Sequence, residues 1–257
     1  MFRRVLTCGS AARISLMASL ALAASGAAYA DKEQREKGPH CGGLPTHAEL
    51  KAALTAARNA SNGGFNLDMW GSVVNRDGVV CAVAFTGANR GSQWPGSRVI
   101  SAQKAYTANG FSLPQLALST ANLYAPTQPG GSLFGLQHSN PVDPVEAYQG
   151  PASNFGQPND PMVGQRVGGV NVFGGGLALY NANRVLIGAV GVSGDSSCAD
   201  HAIAWRTRHN LHLDFVTHGV SPADDDQILY GTGGFTQVHC LDPAVEDGVV
   251  AGLPATP

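Results

Sequence analysis

Charge and recognisable short motifs are both scarce in this sequence. Only 13% of the 257 residues are charged, and 16 basic against 18 acidic residues give a formal net charge of −2. The absence of a basic stripe that could neutralise phosphates argues against nucleic acid as a partner. The sequence also lacks a Gly-Lys-Ser/Thr phosphate loop, a Cys-x-x-Cys pair and a His-Glu-x-x-His helix. The commonest phosphate, redox and zinc signatures are therefore missing.

Long apolar runs are confined to the first thirty residues. Residues 1–30 contain three arginines, an apolar core at residues 14–24 and a small-x-small site at residues 28–30, which is the pattern of a signal peptide. An uncleaved membrane anchor is the alternative, but the apolar core is shorter than a bilayer requires. We expect cleavage near Ala30 and a periplasmic or secreted protein with no membrane span in its mature form.

Cysteines are few, and their number is even once the predicted signal peptide is removed. Loss of Cys8 leaves four, and an even count in an oxidising compartment predicts disulfides. Three connectivities are open. We favour Cys41–Cys81, which would pin the N-terminal segment to a strand, and Cys198–Cys240, which would pin the tail to the last helix.

Glycine and proline, in contrast, are abundant, with 33 and 15 residues. We divide the mature chain into a flexible lead-in at 31–43, a single domain at 44–240 and a C-terminal tail at 241–257. The domain contains a long loop at 110–164, which is punctuated by prolines. Because apolar residues are spread through this loop, we expect it to be ordered and wrapped over the sheet.

Turn and capping signals divide the domain into two hairpins and several helices. Asp77-Gly78 and Asn181-Ala182-Asn183 lie between apolar runs and predict hairpin turns. The order of elements favours an α+β domain with helices packed on an antiparallel sheet. In chain order we predict a helix capped by Thr46 and Glu49, strands 67–74 and 79–85, helices 97–109 and 113–124, strands 172–180 and 185–192, a helix capped by Ser197 and Asp200, an exposed acidic corner at 224–226, and strands 228–230 and 235–238.

Three consecutive glycines interrupt the third predicted strand. Gly174, Gly175 and Gly176 would let a ligand or another backbone approach closely, and a β-bulge in a twisted strand is the alternative. The turn at 191–195, Gly-Val-Ser-Gly-Asp, does not have the spacing of a serine-hydrolase elbow. We interpret it as a tight turn that leads into a helix.

Histidines supply the candidate ligands or bases. His201 and Trp205 are four residues apart on one helix face, next to Asp200, and the helix dipole disfavours a charged imidazole there. His138 lies in the long loop beside apolar residues, where it could act as an axial haem ligand. For both, an ordinary structural histidine is the alternative. His209 starts a weak His-x-x-His-x-Asp pattern, but we assign no metal site and no catalytic residue.

Cations and an aromatic residue cluster after the second predicted strand. Arg90 and Trp94 lie in a polar loop, and Arg98 and Lys104 follow in the next helix. Cations near an aromatic ring could hold carboxylates. A solvated loop and helix face is the alternative, and it suits Lys104 better than Arg90.

Two segments resemble a known family. The run GGGLALYNANRVLIGAVGVSG at 174–194, followed by SSCADHAIA at 196–204, is similar to the signature of the GlcG/HbpS-like haem-binding family, as is SRVISAQKAYTA at 97–108. The resemblance covers roughly residues 44–214, apart from the long loop. It implies a profilin/PAS-like sheet with helices on both sides, a homo-oligomer and haem as the cofactor.

These observations lead to one expected function and two alternatives. We expect an exported binding protein that holds haem or another small organic ligand between the sheet, the long loop and the last helix. The first alternative is a cofactor-free enzyme that acts on a small carboxylate with His201 or His138 as the base and Arg90 as the clamp. The second is a structural accessory subunit.

Overall fold

The computed structural model describes residues 40–257. The predicted signal peptide at 1–30 and most of the lead-in at 31–43 lie outside the described residues. Within the described part, no helix is both long enough and apolar enough to cross a membrane.

A four-stranded antiparallel sheet forms the centre of the domain. Its strands are β1 (Trp70–Asn75), β2 (Val80–Phe85), β3 (Gly176–Tyr180) and β4 (Leu186–Ser193). They lie in the order β2-β1-β4-β3, so each predicted hairpin forms one half of the sheet. Strands β1 and β4 join the halves and place Trp70 opposite Ser193.

Within residues 40–257, the helices comprise four of nine or more residues and three short ones. In chain order they are α1 (His47–Arg58), α2 (Ser97–Phe111), α3 (Tyr124–Thr127), α4 (Leu136–Ser139), α5 (Pro144–Tyr148), α6 (Ser197–Asn210) and α7 (Pro243–Ala251), with a 3-10 turn at Ala152–Asn154. Helix α1 begins with the expected capping box of Thr46 and Glu49. The predicted cap of α6 was wrong by one residue, because the Ser196 hydroxyl accepts the Ala199 N–H while Asp200 turns back to the preceding loop.

Helices cover both faces of the sheet. Along β1, Val73 belongs to the core beneath α1 and α6, whereas Val74 belongs to the core beneath α2. Val190 and Ala189 of β4 divide in the same way, as side-chain alternation in a strand requires. The predicted α+β class, an antiparallel sheet with helices on both sides, is confirmed.

Glycines allow the backbones of helices and strands to approach closely. A Cβ atom at Gly191 would collide with the Ser101 carbonyl oxygen of α2. Added Cβ atoms at the three glycines before and at the start of β3 would each strike a backbone carbonyl: Gly174 that of Ser197, Gly175 that of Val192 and Gly176 that of Lys104. The sequence suggested that these glycines allow close approach of a ligand or another backbone, or form a β-bulge. The structure shows close approach of another backbone.

The long loop packs over the α2 face of the sheet. Its Ala147 and Met162 are fully buried in the same core as Trp70 and Phe85. The predicted helix at 113–124 was wrong, because this stretch forms turns and a single bridge between Leu113 and Leu116 before the four residues of α3. The mixed spacing of its leucines suits neither one helical face nor a strand.

Two predictions for the C-terminal part were also wrong. The strands at 228–230 and 235–238 reduce to one bridge between Tyr230 and Gln237. The acidic corner is not fully exposed, since Asp225 and Asp226 are buried. Asp226 turns inward because buried Arg208 of α6 binds its carboxylate at 2.7 and 2.9 Å.

Both favoured cysteine pairs are disulfide-bonded. Cys41 joins Cys81 of β2, and Cys198 of α6 joins Cys240 just before α7. The second bond fixes the start of the C-terminal segment to α6, where the Trp205 indole also donates to the Pro254 carbonyl at 2.8 Å. The tail is therefore part of the folded unit.

Candidate ligand site

A cavity of about 530 Å³ opens between the loop after β2, the start of α2 and the segment that begins at α5. We call it the Arg90 cavity. Its walls combine three aromatic side chains, two arginines and small residues. The lining residues are Trp70, Asn89, Arg90, Gly91, Pro95, Gly96, Arg98, Val99, Tyr148, Ala152 and Phe155.

The loop that carries Arg90 is held by its own hydrogen bonds. The buried Gln93 side chain donates to the Asn89 carbonyl at 2.7 Å and accepts the Gly87 N–H at 3.1 Å. The Asn89 side chain accepts the Gly91 N–H at 2.8 Å. Arg90 is thus exposed at the rim of the cavity, and it has no ion-pair or hydrogen-bond partner in residues 40–257.

Arg98 lies deeper in the wall and its charge is already matched. Its side chain is 2% exposed and binds the Asp160 carboxylate through two nitrogens, with 2.8 Å from Nε to Oδ2. A third nitrogen donates to the Ala147 carbonyl at 2.8 Å, and the guanidinium lies 3.7 Å from the Phe155 ring centroid. Arg98 therefore fixes the loop wall of the cavity and does not supply a free charge.

The opposite wall comes from the sheet. Trp70 of β1 is 1% exposed and packs edge-to-face against Phe85 at 5.2 Å between ring centroids. Gly156 passes directly over these rings with φ +73°, and a Cβ atom there would collide with Phe85. This contact draws the neighbouring Phe155 against the sheet, so the cavity lies between the loop and β1.

Among the residues predicted to bind a ligand, the structure brings Arg90 to the cavity lining, together with Arg98 from the predicted group of cations. Trp94 is 54% exposed on the same loop and lies beside the lining residue Pro95. His138 is exposed on α4, outside the lining of the Arg90 cavity. The predicted group around α6 lies elsewhere, in the protein interior.

His201 is buried, and one of its two ring nitrogens is hydrogen-bonded while Nδ1 has no partner among the described residues. Its Nε2 atom accepts the Ile228 N–H at 3.0 Å, and its ring lies 6.0 Å from that of Trp205. Burial, with smaller contributions from Arg208 and Lys104, lowers the pKa of His201 to about 3. The imidazole is consequently neutral at physiological pH and stabilises the contact between α6 and the C-terminal segment.

Asp200 forms a buried ion pair with Lys104. The distance from Lys104 Nζ to Asp200 Oδ2 is 2.6 Å, and Nζ also donates to the Val192 carbonyl at 3.1 Å. Burial raises the pKa of Asp200 to about 6, although Lys104 and the Asp195 N–H oppose that shift. The carboxylate is therefore ionised at neutral pH, and the pair links α2 to α6.

Comparison with known proteins decides the family. A scan against protein families matches residues 46–208 to the HbpS-like family, described as haem-degrading proteins. The match covers more than half of the chain. The chain belongs to the HbpS-like family.

Solved structures similar to this HbpS-like chain include a PduOC–haem complex, with 21% identity and a TM-score of 0.44 over 63% of this chain and 89% of that one. The ORFY protein of Klebsiella pneumoniae shows 25% identity and a TM-score of 0.43 over 65% and 90%. HbpS shows 16% identity and a TM-score of 0.39 over 63% and 84%. No curated protein matches the sequence.

Two groups of potential metal ligands in residues 40–257 are already engaged. His209 binds Asp214 at 2.7 Å, and helix α6 ends at Asn210, before the His-x-x-His spacing is complete. In residues 40–257, one group of three ligating side chains is close enough to hold an ion: Cys198, Cys240 and Glu246. The two cysteines form a disulfide, and the Glu246 carboxylate accepts the N–H groups of Cys240 and Leu241.

Sequence reasoning missed three aromatic residues of the site. Tyr148 and Phe155 were visible only as apolar residues spread through a proline-rich loop. Trp70 was interpreted as part of a strand core. Their common location depends on the buried Arg98–Asp160 pair, whose members are 62 residues apart, and no local pattern indicates such a pairing.

Proposed function

We propose that this HbpS-like chain binds haem, or a similar planar carboxylated ligand, in the Arg90 cavity. The observation that carries the proposal is an aromatic-walled cavity with a cation, Arg90, at its rim that has no partner among the described residues. A volume of about 530 Å³ falls in the range of small-molecule sites. Family membership supports a haem-related role.

The residues present fit a haem group. Phe155 provides an apolar wall for a planar ring, with the buried Trp70 behind it, and Arg90 is placed to bind a carboxylate at the ring edge. Because Arg98 is neutralised by Asp160, Arg90 supplies the net charge of the lining. Haem, when bound, would supply an iron centre. The protein's residues would orient the ring and exclude water from it.

The enzyme alternative has less support from this arrangement. Its proposed bases were His201 and His138, and neither contributes to the cavity lining. His201 is buried with its Nε2 atom occupied. No other observation favours catalysis on a small carboxylate, so we propose a binding function.

A haemin titration followed by absorbance tests the proposal. Wild-type protein should give a saturable Soret shift with one haemin per chain. Arg90→Ala should raise Kd about tenfold, because a charge-assisted hydrogen bond contributes about 1.5 kcal/mol or more. Arg166→Ala is the matched control, since Arg166 is exposed and lies outside the cavity lining. It should bind like wild type.

Two results would contradict the proposal. A non-saturable absorbance change would mean that haemin only adsorbs to the surface. A saturable change that Arg90→Ala and Arg166→Ala affect equally would place the ligand outside the Arg90 cavity. His138→Ala adds a third check. If His138 is the axial ligand, this variant should lose the Soret shift. If haemin binds in the Arg90 cavity, the variant should keep it.

We further propose that the protein is exported and forms a homo-oligomer. The N-terminal pattern and the disulfides support export, since disulfides persist mainly in oxidising compartments. The family resemblance supports the oligomer. N-terminal sequencing of the protein recovered from its source would detect cleavage near Ala30. Light scattering of the mature chain would give its mass, and a monomer would contradict the second proposal.

A further inference from the structure

The Arg90 cavity contains one side chain able to ligate iron. Haem iron in proteins is held by His, Cys, Met or Tyr side chains. Among the described residues that line the cavity, only Tyr148 belongs to this set, and no carboxylate is present. A haem bound in the cavity would therefore meet a phenol as its candidate axial ligand.

The backbone of Tyr148 is held firmly against the protein. Helix α5 begins at its N-cap Asp143, whose carboxylate accepts the Val145 N–H at 2.9 Å. Ala147, one residue before Tyr148, is fully buried, and its carbonyl accepts a hydrogen bond from Arg98. The tyrosine thus extends from a fixed point on the cavity wall.

The side chain of Tyr148 is free to bind a ligand. It is 59% exposed, and its hydroxyl makes no hydrogen bond to any atom of the described residues. Tyr180, for comparison, is fully buried and donates its hydroxyl to the Leu113 carbonyl at 2.7 Å. A bond between Tyr148 and a ligand would therefore break no contact within the protein.

The cavity lining carries a net positive charge. Arg90 has no ion-pair partner among residues 40–257, while the charge of Arg98 is balanced by Asp160. Because opposite charges attract, this lining suits a ligand that carries carboxylates. The histidines of the original prediction do not compete, since His201 is engaged and His138 lies outside the lining.

We propose that Tyr148, as its phenolate, is the axial ligand of ferric haem in the Arg90 cavity. This assignment rests on the proposed haem-binding function. The bond that forms joins iron to the phenolate oxygen. The bonds that break are the phenolic O–H and the bond from iron to its axial water, and the proton and the water both pass to solvent. No electron is transferred. A hard anionic oxygen favours ferric over ferrous iron, so the site should select oxidised haem.

Absorbance and resonance Raman spectra of the haemin complex test the assignment. Wild-type protein should show a phenolate-to-iron charge-transfer band with phenolate ring modes. Tyr148→Phe should lose both signals and bind haemin about tenfold more weakly, which corresponds to about 1.4 kcal/mol. Its affinity for metal-free protoporphyrin IX should be unchanged. Tyr106→Phe is the matched control, because Tyr106 lies on α2 outside the cavity lining.

Each outcome bears on one of the two claims. Saturable haemin binding without a phenolate signature, or with one that Tyr148→Phe retains, would overturn the Tyr148 assignment and leave the binding function standing. Loss of haemin and metal-free porphyrin binding alike in Tyr148→Phe would also overturn it. Failure of wild-type protein to bind either porphyrin saturably would refute the binding function itself. Tyr148→His should replace the phenolate signature with an imidazole one, which guards against a folding defect in a single variant.

Discussion

Asp160 is the residue on which the loop wall of the cavity depends. Its carboxylate binds Arg98 and accepts the backbone N–H groups of Gly156 at 2.6 Å and Met162 at 2.8 Å. One side chain therefore fixes the loop that presents Phe155 to the cavity. A buried pair like this costs desolvation to form, but loss of one partner leaves an uncompensated charge.

Asp160→Asn should lower both the stability and the haemin affinity of the protein. It keeps the side-chain shape but leaves the buried Arg98 guanidinium unmatched, so we expect a loss of about 3 kcal/mol in the free energy of unfolding. Urea denaturation and haemin titration measure the two effects. Asp77→Asn is the control, because Asp77 is exposed in the β1–β2 turn. Equal stability of the two variants would show that the Asp160 pair does not support the fold.

His201 makes stability depend on pH in a defined direction. Its folded pKa of about 3 lies below the ordinary value of 6.5, so the unfolded chain binds more protons between these values. Stability from this group therefore rises with pH across that window. Acidification from about pH 7 to about pH 5 should cost about 2 kcal/mol through His201 alone.

His201→Gln should remove this pH-dependent contribution. The amide oxygen of Gln could still accept the Ile228 N–H, but the side chain does not titrate. We expect lower stability than wild type at about pH 7 and a smaller decrease between about pH 7 and about pH 5, by about 2 kcal/mol. Denaturation curves of both proteins at the two pH values provide the comparison. Parallel decreases would show that His201 does not carry the effect.

The close contact between α2 and β4 requires a glycine at position 191. Gly191 lies where a Cβ atom would collide with the Ser101 carbonyl, whereas the Cβ of an alanine at Gly110, in the last turn of α2, would meet nothing within 4 Å. The two positions offer the same substitution in opposite surroundings. One lies beneath the helix, and the other lies at its exposed end.

Gly191→Ala should destabilise the protein by about 2 kcal/mol or more, because overpacking forces backbone shifts. Gly110→Ala should instead stabilise it by about 0.5–1 kcal/mol through helix propensity. Melting temperatures with calorimetric enthalpies measure both changes. A neutral Gly191→Ala variant would contradict the close approach of α2 to β4.

Elements with local signals were predictable from the sequence, and the others were not. The Asp77-Gly78 turn and the Thr46–Glu49 capping box act within a few residues, so the first hairpin and α1 could be inferred. Arg208 and Asp226 form an ion pair although they are 18 residues apart. No local sequence pattern indicates this pair, so the burial of the acidic corner could not be predicted. The apolar pattern at 228–230 and 235–238 likewise predicted two strands, but these segments form only an isolated bridge between Tyr230 and Gln237.

The candidate site was predictable only in part for the same reason. Arg90 was identified because it is a cation in a polar loop beside a segment with family resemblance. His201 was expected at a ligand site because its position in the first turn of a helix suggested a neutral imidazole. The imidazole is neutral in the structure, as expected. The cause, however, is burial against the Ile228 backbone and not the helix dipole. Sequence position alone does not distinguish a buried helix start from an accessible one.

At the scale of the whole molecule, the long loop forms one wall of the Arg90 cavity. The sheet, helices α1 and α2 and all but the last two residues of α6 lie within the family match, and so does the loop at 110–164. The loop nevertheless supplies Tyr148, Ala152 and Phe155 to the cavity, opposite residues of β1 and α2. The site therefore exists only when the loop is folded onto the sheet.

A crystal structure of the protein with haemin is the most direct test of this account. We predict one porphyrin per chain in the Arg90 cavity, with its plane against Phe155 and a carboxylate at Arg90. A porphyrin at a different location, such as the cleft between α1 and the end of α6 that is lined by Ala52, Ala56 and His212, would contradict the central claim.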